Sequence, residues 1–293
     1  MPDRRTEVVC DTTAYLPDDL VSEHGIHRIS LYVALDGELE RESEISDYGQ
    51  FYERLRTSDS KVTTSQPSVG DFVEVYEPLL GAGRDVVSLH ISGSVSGTCE
   101  AAEQAAQRLA EEGKGGERIR VFDSRTSAGG LGLCALAASA AAEAGAGGDE
   151  VLKRAVDTRE ELKIWFALDT LEYLRRGDRI GKARGWLGST LRIKPILTLE
   201  EEITPVERVR TRSRALERLG AYAGQRHEAG ADAWVVQYIG DRETADRLID
   251  ECRGIFGRDP AYVSEVGPVI GAHIGPGMLG VGSIPVSALA DGR

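Results

Sequence analysis

The chain lacks most of the features by which a sequence announces a familiar chemistry. Its four cysteines, at 10, 99, 134 and 252, form no Cys-x-x-Cys pair, so zinc and dithiol redox motifs are absent. Each lies in an apolar or helical setting and reads as a small core residue. Five histidines show no metal-like clustering. No run reaches the roughly 18 apolar residues of a membrane span. The N-terminus, MPDRRTEVVC, carries no apolar signal segment, and a reducing cytoplasm is the expected location. No G-x-x-x-x-G-K-[ST] occurs, so there is no P-loop. Positive charge is outnumbered: 35 Lys and Arg stand against 48 Asp and Glu, a net charge of −13. That balance opposes nonspecific nucleic-acid binding.

What is present is a globular composition, 41% hydrophobic and 28% charged over 293 residues. The pattern alternates. Strands are expected at 7–11, 26–35, 85–91 and 118–123. Helices are expected at 17–25, 46–58, from 67 onward, at 97–113 and through 145. Ser68 and Asp71 have capping-box spacing. After the break AGAGGD, 144–149, come a helix through Glu160 and a strand at 163–168. Helix, basic loop and helix follow over 170–191. A hairpin, 194–199 with 203–209, turns around Glu200 to Glu202. Helices at 212–228 and 241–256 flank a strand at 233–239, and strands at 261–266 and 278–284 close the chain. This βαβ alternation predicts an α/β fold of two domains, 1–157 and 158–293, with mainly parallel sheets.

Four segments carry candidate chemistry. HISGSVSGTCEAA, 90–102, places Ser92, Ser94, Ser96 and Thr98 around Gly93 and Gly97, between a strand and a helix. In open α/β sheets such loops lie at the carboxyl edge, where ligands bind. Unpaired N–H groups and the hydroxyls make an anion site from neutral donors. A plain N-cap would need one hydroxyl, not four. TTSQPS, 63–68, reads as a second hydroxyl-rich loop. GAHIGPG, 271–277, reads as a tight loop carrying His273, either a ligand contact, an acid or base, or a structural histidine. LEYLRRGDRIGK and ERVRT hold Arg175, Arg176, Arg179, Lys182, Arg208, Arg210 and Arg212, local basic clusters in an acidic chain. GLGLCA, 130–135, is too far past its strand to be a good dinucleotide fingerprint. GSVSG, 93–97, has Val95 where a nucleophile elbow needs Ser.

Taken in order, CDTTAYLP, TTSQPS, ISGSVSGT, VFDSRTS, LEYLRRGDRIG, IKPILTL, VRT and GAHIGPGMLG resemble the DegV family over nearly the whole chain. That family includes the fatty-acid-binding subunits of bacterial fatty acid kinase. The resemblance implies a carrier that is not an enzyme alone and uses no cofactor or metal. It would hold a long-chain fatty acid buried between the two domains and present it to a kinase subunit for conversion to acyl phosphate, without nucleic acid or stable membrane insertion. It implies carboxylate contacts from Thr64, Ser65, Ser96, Gly97, Thr98, His273 and Gly275. It assigns Arg179 and Arg210, with Arg176 beside them, to the headgroup network or to kinase docking. The sequence departs from the family pattern at Gly93, where consecutive serines are usual, and at Thr12, where Ser is usual. A hydrolase or acyltransferase using Ser96 and His273 on a lipid-like ester is the alternative, and a lipid sensor without a kinase is a third reading.

Overall fold

The computed structural model describes residues 5–57, 62–187 and 193–289. From the N-terminus, β1 (Thr6–Asp11) leads through α1 (Asp18–Glu23) to β2 (His27–Ile29). A hairpin of β3 (Tyr32–Leu35) and β4 (Glu38–Arg41), then α2 (Tyr48–Thr57) and β5 (Val62–Ser65), follow. Next come α3 (Val69–Gly81), β6 (Asp85–His90), α4 (Thr98–Glu111), β7 (Ile119–Asp123), α5 (Ala128–Glu143) and α6 (Gly148–Glu161). The rest of the chain is β8 (Lys163–Ala167), α7 (Glu172–Arg176), β9 (Lys194–Leu199), β10 (Ile203–Val209) and α8 (Arg212–Glu228). It ends with β11 (Ala233–Tyr238), α9 (Arg242–Phe256), β12 (Tyr262–Glu265), α10 (Pro268–Ile274) and β13 (Leu279–Ile284).

The α/β class stands. One sheet, in the order β2-β1-β6-β7, is parallel throughout, so the loops after β1, β6 and β7 share its carboxyl edge. The second, β10-β9-β8-β13-β11-β12, corrects the expectation of parallel strands: of its neighbouring pairs only β11 and β12 are parallel. Its β9–β10 connection is too short for a crossover, so the pair must be antiparallel. Strand β13 then inserts between β8 and β11, opposite in direction to both. A small sheet, β4-β3-β5, completes the set.

Helix α5 packs against both large sheets. It is buried nearly all round, which its Ala- and Gly-rich sequence permits by keeping both sheets close. On the far side of the parallel sheet, Phe72, Tyr76 and Leu109 of α3 and α4 pack on Val9 and Val86. On the far side of the second sheet, Leu219, Leu248 and Phe256 of α8 and α9 pack on Trp234 and Val236. The expected boundary at 157 falls inside α6.

Four local readings are corrected. The single strand expected at 26–35 is two, because the chain leaves the parallel sheet at Ile29 and joins the small sheet at Tyr32. Ser30 Oγ bridges this corner, accepting from Ser43 N at 3.1 Å. TTSQPS is not all loop: Thr63, Thr64 and Ser65 are in β5, paired with β3. GAHIGPG is not all loop either, since Gly271 to Ile274 end α10 and the tight turn begins at Gly275, with φ of 76°. The second helix expected after the basic loop is a 3-10 turn, Gly181–Trp186, and residues 188–191 of that stretch lie outside the described residues. The capping box of Ser68 and Asp71 is present at the start of α3.

Candidate ligand-binding site

The carboxyl edge of the parallel sheet, β5 and α10 converge on one cavity of about 1010 Å³, its mouth included. Thr64, Ser65, Gln66, Ser96, Ser127, Arg179, Gln237 and His273 supply its polar lining. Most of the rest is apolar, including Ile91, Phe166, Leu174, Ile203, Val235, Ile274 and Met278.

His273, in the last turn of α10, meets Thr64 of β5 at the cavity wall, Nε2 to Oγ1 at 2.7 Å. Its Nδ1 is buried and has no hydrogen-bond partner among the described residues. Burial first, and the Arg179 guanidinium second, hold the imidazole pKa down at about 4. His273 is therefore neutral near pH 7, with one nitrogen to donate and one to accept.

Ser96 Oγ lies 2.8 Å from Thr98 Oγ1, and Ser92 Oγ lies 2.8 Å from Ser94 Oγ. Neither pair caps the helix behind it, since the N-cap of α4 is Gly97. Asp11 positions this loop, accepting from Ile91 N at 2.8 Å. The same carboxylate meets buried His90 Nδ1 at 3.2 Å, and His90 Nε2 meets Ser88 at 2.7 Å. This Ser–His–Asp chain is fully buried, so it braces the sheet and is closed to a substrate.

Arg179 reaches the cavity but commits two donors to backbone, Nε to Val95 O at 3.3 Å and Nη1 to Gly177 O at 2.6 Å. It links α7's loop to the serine loop. Arg176 is exposed and donates to Glu172 at 2.8 Å, and Arg210 is exposed one residue beyond β10. Both are outside the cavity lining, as are Gly97, Thr98 and Gly275. Gly97 instead gives Gln66 room, and Gly275 lies against the ring of Tyr173. Gly93 stands against Asp123, away from the cavity, so the departure from consecutive serines leaves the lining unchanged.

Two features went unseen in the sequence. Gly177 abuts the His273 ring, and a methyl there would lie 3.2 Å from Cε1 and closer to Nδ1. The second is a trough along β13. Gly280 and Gly282 project no side chains from the face where β8 presents Phe166 and Ile164, their partners in register. On the other flank their partners are Gln237 and Val235 of β11. Gly129 and Gly130 at the start of α5 complete the glycine-lined stretch. Gly129 N donates to Gln237 Oε1, which satisfies that buried amide.

The geometry can hold a slender apolar ligand with one small anionic or polar end. It gives the hydrolase alternative no support. Ser96 is bonded to Thr98 and His273 to Thr64, and Ser88, which does meet a histidine, is fully buried, so among the described residues no serine lining the cavity is bonded to a base.

The family model for uncharacterised proteins of the DegV family matches residues 5–286. The chain belongs to the DegV family. The DegV domain-containing protein SCO2569 of Streptomyces coelicolor is 41% identical over 284 residues, 95% of this chain and 98% of that one. A fatty-acid-binding DegV family protein from Thermus thermophilus has the same fold, with a TM-score of 0.87 at 34% identity. That match covers 96% of this chain and 100% of the other. DegV of Bacillus subtilis, also a fatty acid binding protein, gives a TM-score of 0.85 at 32% identity, covering 96% and 100%. Among the described residues of this DegV-family protein, no helix is long and apolar enough to cross a membrane.

Proposed function

We propose that this DegV-family chain is a carrier, not an enzyme by itself. It binds one long-chain fatty acid and presents it, in the cytoplasm, to a fatty acid kinase subunit. The observation that carries the reading is the cavity's lining, in which the hydroxyls of Thr64 and Ser96, neutral His273 and an Arg179 tied to two backbone carbonyls join a larger set of apolar side chains and the glycines of β13. The carboxylate belongs beside Thr64, Ser96 and His273, and the acyl chain runs along β13. Affinity comes chiefly from the tail, at about 0.8 kcal/mol per buried CH₂. Relatives of the same fold that bind fatty acids support the ligand class.

Neutral donors suit a carboxylate that must react. A bidentate arginine would stabilise the anion strongly and oppose its attack on phosphorus. Here Arg179 is turned toward two carbonyls. In the partner's reaction, a carboxylate oxygen attacks the γ-phosphorus of ATP, the bond to the β-γ bridging oxygen breaks, and ADP leaves. The products are an acyl phosphate and ADP. The test is to incubate the loaded protein with ATP and a fatty acid kinase subunit, then trap acyl phosphate with hydroxylamine. Hydroxamate is expected only when both proteins are present. Bound fatty acid with no hydroxamate, using a kinase active toward its own carrier, would contradict the presenting role.

A further inference from the structure

Glu42 is a carboxylate buried to 1% exposure, outside the cavity and unused by the site described above. Its Oε2 accepts from Thr12 Oγ1 at 2.7 Å. Thr12 Oγ1 in turn accepts from Leu31 N at 3.3 Å, and Glu42's own N–H donates to Leu31 O at 2.9 Å. Its Oε1 accepts from Val269 N at 2.8 Å and from Tyr15 OH at 2.9 Å, and that hydroxyl accepts from Ile270 N at 3.2 Å. Leu31, Val269 and Ile270 all line the cavity. One side chain therefore ties the wall bearing Leu31 to the first turn of α10, the helix that carries His273. Tyr52 adds to the cradle, donating to Val266 O at 2.5 Å. Gly267 is packed so closely that a methyl there would stand 2.9 Å from Glu42 Oε1.

We propose that Glu42 is a positioning residue for the pocket and acts as a proton-linked latch on α10, one that releases more readily as pH rises. The physical basis is burial without a cationic partner. Burial acts on this carboxyl most strongly, against three hydrogen bonds, and raises its pKa from 4.5 to about 7. The charged and titratable groups around it are Asp11 at the end of β1, Tyr15 in the turn after β1, and Tyr48 and Tyr52 of α2. Asp11 adds to the effect of burial. Farther out, Arg28 of β2 and Glu265 of β12 act on Tyr48.

If α10 lifts off the cradle, Glu42 meets water and its ordinary acidity returns. Opening then favours the ionised form, so linkage makes the opening constant rise with pH between the two pKa values. From pH 5.5 to 8 the rise is roughly 30-fold if opening exposes the carboxyl fully. The inference rests on the proposed ligand reading only for its consequence, faster fatty-acid exchange at higher pH.

The test uses the full chain, wild type and Glu42→Gln, which keeps an acceptor for Val269 N and Tyr15 OH and a donor for Thr12 without a charge. Hydrogen exchange is followed at the Val269 and Ile270 amides of the ligand-free protein, corrected for intrinsic base catalysis. Wild-type protection is expected to fall at least several-fold from pH 5.5 to 8, and Glu42→Gln protection to stay level. Exchange of bound stearate, measured in parallel, should accelerate with pH in wild type relative to Glu42→Gln. Equal pH profiles for the two proteins at these amides would overturn the latch. Failure of stearate to bind would count against the ligand reading alone, since the amide measurement needs no ligand.

Discussion

Gly177→Ala isolates the position of the His273 ring with little else disturbed. Gly177 has φ of −81° and ψ of −5°, which alanine adopts freely. Its N–H donates to Tyr173 O at 3.0 Å, and its carbonyl accepts from Arg179 Nη1 at 2.6 Å; both bonds survive the substitution. The only new group is a methyl, standing 3.2 and 3.3 Å from Cε1 and Cγ of His273 and nearer still to Nδ1. Ordinary contact needs about 3.5 Å or more, so the ring must shift by roughly 1 Å. A shift of that size moves Nε2 out of the geometry of its 2.7 Å bond to Thr64. Losing that bond and one contact to the ligand's carboxylate costs about 1.5–2.5 kcal/mol. Fatty-acid affinity should fall by more than about tenfold. The assay is a binding titration with a long-chain fatty acid beside a thermal melt. Gly185→Ala, where a methyl meets nothing within 4 Å, is the control. Wild-type affinity in a folded Gly177→Ala protein would refute the placement of the headgroup against His273.

Other outcomes follow from the same geometry. Thr64→Ala, Ser96→Ala and His273→Ala should each weaken fatty-acid binding by about 1–2 kcal/mol without unfolding the protein, read by titration. The arginines should divide: Arg179→Ala lowers affinity because Arg179 lines the cavity, whereas Arg210→Ala leaves binding intact and slows acyl-phosphate formation with the kinase. Gly282→Val places its β-carbon 2.6 Å from Ile164 Cγ2 and narrows the trough, so affinity should shift toward shorter acyl chains in a chain-length series. Glu42 also sets a stability profile. Its folded pKa of about 7 lies above the ordinary 4.5, so its stabilising contribution is complete below 4.5 and is lost as pH rises through 7. The loss approaches about 3 kcal/mol. Wild-type melting temperature should therefore drop between pH 5 and 8 relative to Glu42→Gln, and parallel profiles would count against it.

The glycine- and serine-rich strand-to-helix loop was legible because a parallel strand, a helix start and four hydroxyls are all local in sequence. The basic loop with Arg179 was legible for the same reason. The direction of the second sheet was not, since apolar periodicity is the same for parallel and antiparallel neighbours. Strand β5 was hidden by its own polarity, because its hydroxyls face a ligand cavity where a core strand would present Val or Ile. Helix α10 was hidden by Gly267, Pro268, Gly271 and Gly275, which read as loop punctuation. It is only seven residues long and is fixed from outside by Glu42, Tyr15 and Tyr52, more than 200 positions away in the chain. Glutamate 42 itself gives no signal in the sequence, standing among Glu38, Glu40 and Glu44 of an exposed segment. Gly177 resembles an ordinary helix stop and shows its use only against His273.

The central claim is that the cavity holds a long-chain fatty acid, and mass spectrometry of the purified protein tests it most directly. The well-folded chain is denatured, extracted with organic solvent, and the released lipid is quantified per mole of protein. The account predicts about one long-chain fatty acid per chain, or stoichiometric uptake when stripped protein is given one. A folded preparation that releases no fatty acid and takes up none would contradict it.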